Sequence, residues 1–376
     1  MSASKSYYPS FSPLDLYYLS VSSDIFQYGY IVFLIIGFIG NICQIMTFLR
    51  KTMRNISTGI LFLALSVSNI IYLLVSIYVL MIYGFQISDQ SNYPKTCQFR
   101  HYMVYLSTNF SAWMLTLISC DRWIRSQFPI KAQRFCTPRT AIYSIIIALI
   151  FDCILHIHII TPMFGQTAPG VTTICGADNR YPIYSYFYTE IWPIISLFTI
   201  TVIPAICMLF FLIAITINVQ TSRNRIIPIQ QTNLNQHEQR RARFLQRQMF
   251  ILMFVTLMVF FLTTFPVALM RFILSNSNIQ QSFSFSLLLL SILEVITLSN
   301  YSLNFYLHCL TSKLFRKEFF KYIPCSISIT FRQSNRATNI GITQQYFTHR
   351  QQGTVTQLMG HRSNTNELGK NNTTNI

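Results

Sequence analysis

Seven stretches of this chain are long and apolar enough to cross a bilayer as helices, and they leave room for little else. A crossing takes about 20 mostly apolar residues, coiled into helix because a backbone in lipid must bond to itself. The stretches lie between Asp24 and Arg50, between Arg54 and Asp89, from His101 to Cys120, from Arg139 to near Pro162, from Ile191 towards Ser222, from Gln248 to Met270, and from Ser282 to Leu310. The expected fold is an all-α membrane protein, a seven-transmembrane helix bundle. Charged residues make up only 10% of the chain, against about 25% in soluble domains. A net charge of +17 would suit nucleic acid if it formed one patch. The basic residues instead fall in clusters between apolar runs, so no nucleic-acid partner is expected.

Those clusters set the orientation. One side of the membrane carries 23 of the 28 lysines and arginines, which places the N-terminus outside and the tail inside. The expected organisation is an extracellular N-terminus over residues 1–24, a seven-helix domain over 25–325 and a disordered cytoplasmic tail over 326–376. Just after the seventh span, Leu314, Phe315, Phe319 and Phe320 alternate with Lys313, Arg316, Lys317 and Lys321, reading as a short amphipathic helix on the inner leaflet. Cys325 beyond it is either palmitoylated or an unmodified cysteine.

The third stretch, whose helix is expected to extend beyond both ends into a segment from Cys97 to Trp123, carries the chemistry. Cys97 near its start and Arg122 at its end are about 37 Å apart along a helix at about 1.5 Å per residue, more than the roughly 30 Å of a hydrocarbon core. Cys97 and Cys175 are the two cysteines expected outside the cell, where a disulfide persists. Their pairing would pin the loop over residues 164–189 across the mouth of the bundle. At the inner end, Asp121-Arg122 reads either as a boundary anchor or as a functional pair. Its place on the central helix favours function.

With these features the chain resembles the rhodopsin-like G-protein-coupled receptors over residues 25 to about 325. The resemblance rests on the order and spacing of Gly40-Asn41, Leu65, Cys97, Asp121-Arg122-Trp123, Pro129, Cys175, Pro204, Phe260 with Pro266, Asn304 and Phe315-Arg316. It implies a multi-pass receptor of the plasma membrane, not an enzyme, that couples an extracellular ligand to a heterotrimeric G protein. By the same resemblance Asp121, Arg122 and Trp123 carry G-protein coupling, with Arg122 released on activation to contact the G protein. Pro204, Phe260, Pro266, Asn304 and His308 form the activation switch. Asn69 stands where the family has an aspartate that helps hold sodium, Thr264 replaces a tryptophan, and His308 closes a motif that ordinarily ends in tyrosine. Gln246 stands where an acid could lock Arg122.

The ligand is approached by exclusion. The seventh span has no lysine for a retinal Schiff base, and Val104 stands where amine receptors carry an aspartate. The remaining candidates are Arg100, Thr108, Arg271 and Glu294 beside Val104, near a tyrosine-rich loop. Glu294 meets either an internal arginine, Arg271 or Arg100, or a basic group on the ligand. A wide, aromatic, mixed-charge mouth suits a short peptide. The seventh-span pattern also resembles invertebrate neuropeptide receptors of the FMRFamide-receptor-like group. No cofactor or metal is expected: His156 and His158 lie two apart and point about 200° apart on a helix. The alternative is a polytopic transporter or channel, for which the chain shows no internal repeat.

Overall fold

The structure, a computed structural model, describes residues 12–87, 94–165, 175–225, 233–276 and 283–321. Cys325 and the tail from residue 326 lie outside the described residues. The first span runs Pro13–Phe48, the second Ser57–Gly84, the fourth Pro138–Ile160 and the fifth Pro182–Asn218. The third is the helix Pro94–Gln127, the sixth lies within Asn233–Asn276, and the seventh is Phe283–Ser302 continued by Asn304–Thr311. A short connecting helix, Pro129–Phe135, joins the third span to the fourth. The helix Lys313–Phe319 follows the seventh.

Two spans begin earlier than their apolar runs. Ser12 caps the first helix: its Oγ accepts from the Asp15 amide at 3.1 Å while the Asp15 carboxylate accepts from the Ser12 amide at 3.2 Å. That reciprocal cap, with Pro13 in the first turn, starts the helix well before the membrane run. The fifth starts at Pro182, again with proline in the first turn but with no side-chain cap. A π-helical turn, Leu197–Val202, ends one residue short of Pro204, where proline takes a hydrogen bond out of the helical ladder.

The third span is the axis, packed against the second, fourth and fifth, while the first meets the second and seventh and closes the ring. In lipid, such contacts are held by close packing and by polar bonds rather than by expulsion of water. One core cluster joins Phe26, Tyr30, Leu34, Tyr72, Leu73, Leu80, Leu298 and Tyr301 from the first, second and seventh spans. Beneath it runs a spine of neutral polar groups. Asn41 Nδ2 donates to the Tyr301 carbonyl at 2.9 Å, Asn69 Nδ2 to Asn41 Oδ1 at 3.3 Å, and Ser111 Oγ to Asn69 Oδ1 at 3.1 Å and Ser68 Oγ at 3.0 Å.

The fourth span shows lipid most of its surface, and its buried residues between Pro138 and His156 are Ala141, Asp152 and His156. Its attachment is therefore polar. Asn109 Nδ2 of the third span donates to Asp152 Oδ1 at 2.7 Å. His156 Nδ1 lies 2.9 Å from both Asp152 Oδ1 and the Asp152 carbonyl oxygen. Both are acceptors, so Nδ1 carries the hydrogen. This is the partner that residue spacing suggests for Asp152, and both histidines lie in the packed interior, as expected: His156 is buried, and His158 sits edge-on to Trp192 at 4.3 Å.

Between the first and second spans the chain turns through Lys51–Arg54, and the Gly59 amide donates to the Ile56 carbonyl at 3.0 Å. A Cβ at Gly59 would land on the backbone carbonyl of Met53, which cannot swing away as a side chain could. Gly59→Ala should therefore cost about 2 kcal/mol or more and lower the melting temperature of the purified protein by several degrees. Unchanged melting would rule the clash out.

Candidate functional site

The two ends of the bundle carry different chemistry. At one end Cys97 and Cys175 form a disulfide, with Cα atoms 5.7 Å apart. The segment it holds is tied a second way, since the Gly165 amide donates to the Gly176 carbonyl at 2.7 Å and the Asp178 amide to the Met163 carbonyl at 2.9 Å. Gln98 Nε2 donates to the Thr161 and Phe164 carbonyls at 2.9 and 2.7 Å. Gly165 has φ +93°, and a Cβ there would meet the Pro94 carbonyl oxygen at 2.7 Å. Arg180 donates twice to Asp178, from Nε and from its amide, both at 2.9 Å. Those bonds hold the Asp178 carboxyl below its ordinary value.

Beside the disulfide open two neighbouring cavities that share Tyr72, Val104 and Tyr105. The larger, about 340 Å³, is lined by Arg100, His101, Glu294, Tyr83 and Leu290 among others. The smaller, about 140 Å³, includes Thr108, Trp192, Thr264, Thr297 and Tyr301. Four of the five expected ligand residues thus face these cavities, Arg100, Val104, Thr108 and Glu294. The fifth, Arg271, lies on the sixth helix with its side chain outside the described residues. The Arg100 guanidinium stacks over the Tyr78 ring at 4.7 Å, a cation–π contact that holds a positive group at the cavity that Glu294 also lines. His101 Nδ1 lies 3.2 Å from Cys175 Sγ. The trio of Cys97, His101 and Cys175 is not a metal site in this state, because the disulfide removes both thiolates.

At the opposite end, Arg122 and His308 line one cavity of about 110 Å³ with Thr58, Phe62, Leu252 and Ser312. His308 is buried edge-on against Phe62 at 4.2 Å. Trp123 packs its ring on Phe211 at 5.5 Å, joining the third and fifth spans. Asn218 Nδ2 donates to the Ser126 carbonyl at 2.6 Å. Asp121 is buried and engaged by Ser57, Thr58 and Arg125. Phe260 is buried, Thr264 Oγ1 donates to the Phe260 carbonyl at 2.6 Å, and Asn304 opens the short helix that continues the seventh span. Arg125, Ser57 and Thr58 were not among the expected residues. Only Arg125 could have been found from the sequence, by its spacing of four from Asp121.

Residues 40–304 match the 7 transmembrane receptor (rhodopsin family). The chain belongs to the rhodopsin family of seven-transmembrane receptors. This is a receptor class, not an enzyme class. The receptor is similar to the galanin-like G-protein coupled receptor npr-9 of Caenorhabditis elegans, with 26% identity over 134 residues, 34% of this chain and 28% of that protein. It is also similar to the probable G-protein coupled receptor B0563.6 of the same nematode, with 23% identity over 302 residues, 77% of this chain and 67% of that protein. The similarity to a galanin-like nematode receptor agrees with the resemblance to invertebrate neuropeptide receptors. The receptor is a multi-pass membrane protein.

Proposed function

We propose that the receptor binds a short peptide at its disulfide end, outside the cell, and activates a heterotrimeric G protein with its arginine end, inside the cell, at the plasma membrane. The observation that carries this reading is the pair of unlike ends: an aromatic cavity holding Glu294 and Arg100 together at one, and Arg122 with His308 at the other. Opposite charges about one cavity suit a ligand with a basic side chain and polar backbone better than a compact amine. Activation would release Arg122 towards the G protein, with the sixth span moving about Pro266 in a two-state shift biased by ligand. On the same end Ile130 is 86% exposed on the connecting helix, an apolar knob suited to burial in a protein partner.

A library of short amidated peptides, screened on cells reporting calcium and cyclic AMP, tests this directly. An epitope at residue 1 should be reached by antibody on intact cells. Absence of any peptide response, with activation by non-peptide ligands, would remove the peptide reading. For an arginine-containing agonist so identified, Glu294→Gln should reduce potency about 30-fold or more, the usual loss of at least about 2 kcal/mol when one partner of an enclosed charge pair is removed. Equal potency would make Glu294 a structural residue.

A further inference from the structure

Among the described residues, the fourth span lines neither cavity at the disulfide end. It stands behind their shared wall instead. Tyr105 and Asn109 lie one turn apart on the third span, as His156 and Asp152 do on the fourth, so each pair shares a face. Two rungs join these faces. One is the bond from Asn109 Nδ2 to Asp152 Oδ1 at 2.7 Å. The other, nearer the disulfide end, is the His156 ring stacked on Tyr105, with centroids 5.7 Å and planes 21° apart. Trp192 of the fifth span meets both rings edge-on, 5.6 Å from Tyr105 and 5.4 Å from His156.

We propose that His156, oriented by Asp152, is a positioning residue for ligand binding: it backs the Tyr105 and Trp192 rings that wall the cavities, and so brings the fourth span into recognition without touching ligand. This rests on the peptide-binding reading given above. The Nδ1 hydrogen goes to acceptors on Asp152, 2.9 Å away, which fixes the tautomer and the plane of the ring. A ring held this way holds its neighbours. Tyr105 reaches both cavities and Trp192 the smaller, so a turn of the His156 ring would move the surface a ligand meets. Asp152 bonds Asn109 and His156 through one oxygen, Oδ1, and an amide offers the same acceptor.

The test compares wild type with Asp152→Asn, Asp152→Asn/His156→Phe and Asp152→Asn/His156→Leu. Replacing the acid in every variant leaves no carboxylate uncompensated inside the bundle. The first readout is the affinity of an agonist peptide taken from the library screen. The second is the ligand-free emission of Trp192, isolated by replacing the other two tryptophans, Trp113 and Trp123, with phenylalanine throughout. Melting temperature checks the fold of each variant.

Asp152→Asn should bind within about threefold of wild type, because the accepting oxygen is kept. The phenylalanine double variant keeps a ring but loses its tether. It should melt close to wild type, yet bind about fivefold more weakly, within the range of couplings between side chains in contact. The leucine double variant loses the ring as well and should bind at least about tenfold more weakly. Trp192 emission should shift in both double variants. Wild-type affinity in both, or affinity lost only in step with folded receptor, would overturn the proposal. If no peptide binds wild type, it is the peptide-binding reading that falls. Trp192 emission then decides the role of His156: a shift in both double variants upholds it, and unchanged emission overturns it.

Discussion

Arg122→Ala should abolish G-protein activation while leaving the folded receptor and its ligand affinity near wild type. Removing one partner of a buried ion pair ordinarily destabilises a protein by about 3–5 kcal/mol, because the other charge is left uncompensated. Here Asp121 keeps Ser57, Thr58 and Arg125 when Arg122 is lost, so that acid is not orphaned. The substitution instead empties one wall of the cavity beside His308, at the end remote from Arg100 and Glu294. Ligand binding, surface amount and nucleotide exchange, measured on one preparation, separate these effects. Normal exchange by the alanine variant would take Arg122 out of coupling. Loss of surface receptor in step with signal would make it structural.

The second large effect is expected at the disulfide. Cys97→Ser opens a loop of sequence separation 78, for which the chain-entropy argument gives about 4.5 kcal/mol. That figure is a ceiling, since the unfolded state of a membrane protein keeps its inserted helices and the freed loop is shorter than the sequence suggests. The backbone pairs at Met163, Gly165, Gly176 and Asp178 would remain as a weaker hold. Ligand binding should fall by at least tenfold, about 1.4 kcal/mol, with a matching loss in Cys175→Ser. The double serine variant should be no worse than either single one, because each removes the same bond. Wild-type affinity in both single variants would show that the disulfide does not shape the mouth.

Much of the fold was legible because lipid imposes a blunt rule: each crossing must be a long apolar helix. The third span obeys it least. Its interior carries Ser107, Asn109, Ser111, Thr116, Ser119 and Asp121, polar groups a central helix can bury because its neighbours bond them. The start of the first helix was missed because Asp15 and Asp24 interrupt the apolar run, although the Ser12 to Asp15 cap was there to be read. At the site, Cys97 with Cys175 followed from sidedness. The spacing of four also indicated Asp152 with His156. Ser57 and Thr58 against Asp121, and Asn109 against Asp152, come from different spans, and spacing within one helix carries no information about them.

The spine of Asn41, Asn69, Ser68 and Ser111 lies between the two ends and is built wholly of amides and hydroxyls. A membrane potential works on displaced charge, at about 2.3 kcal/mol per elementary charge per 100 mV. Exchanging one amide or hydroxyl partner for another moves no full charge and only turns dipoles. Whatever passes between the two ends through these groups therefore couples to the resting voltage of the cell far more weakly than a moving lysine, arginine or carboxylate would.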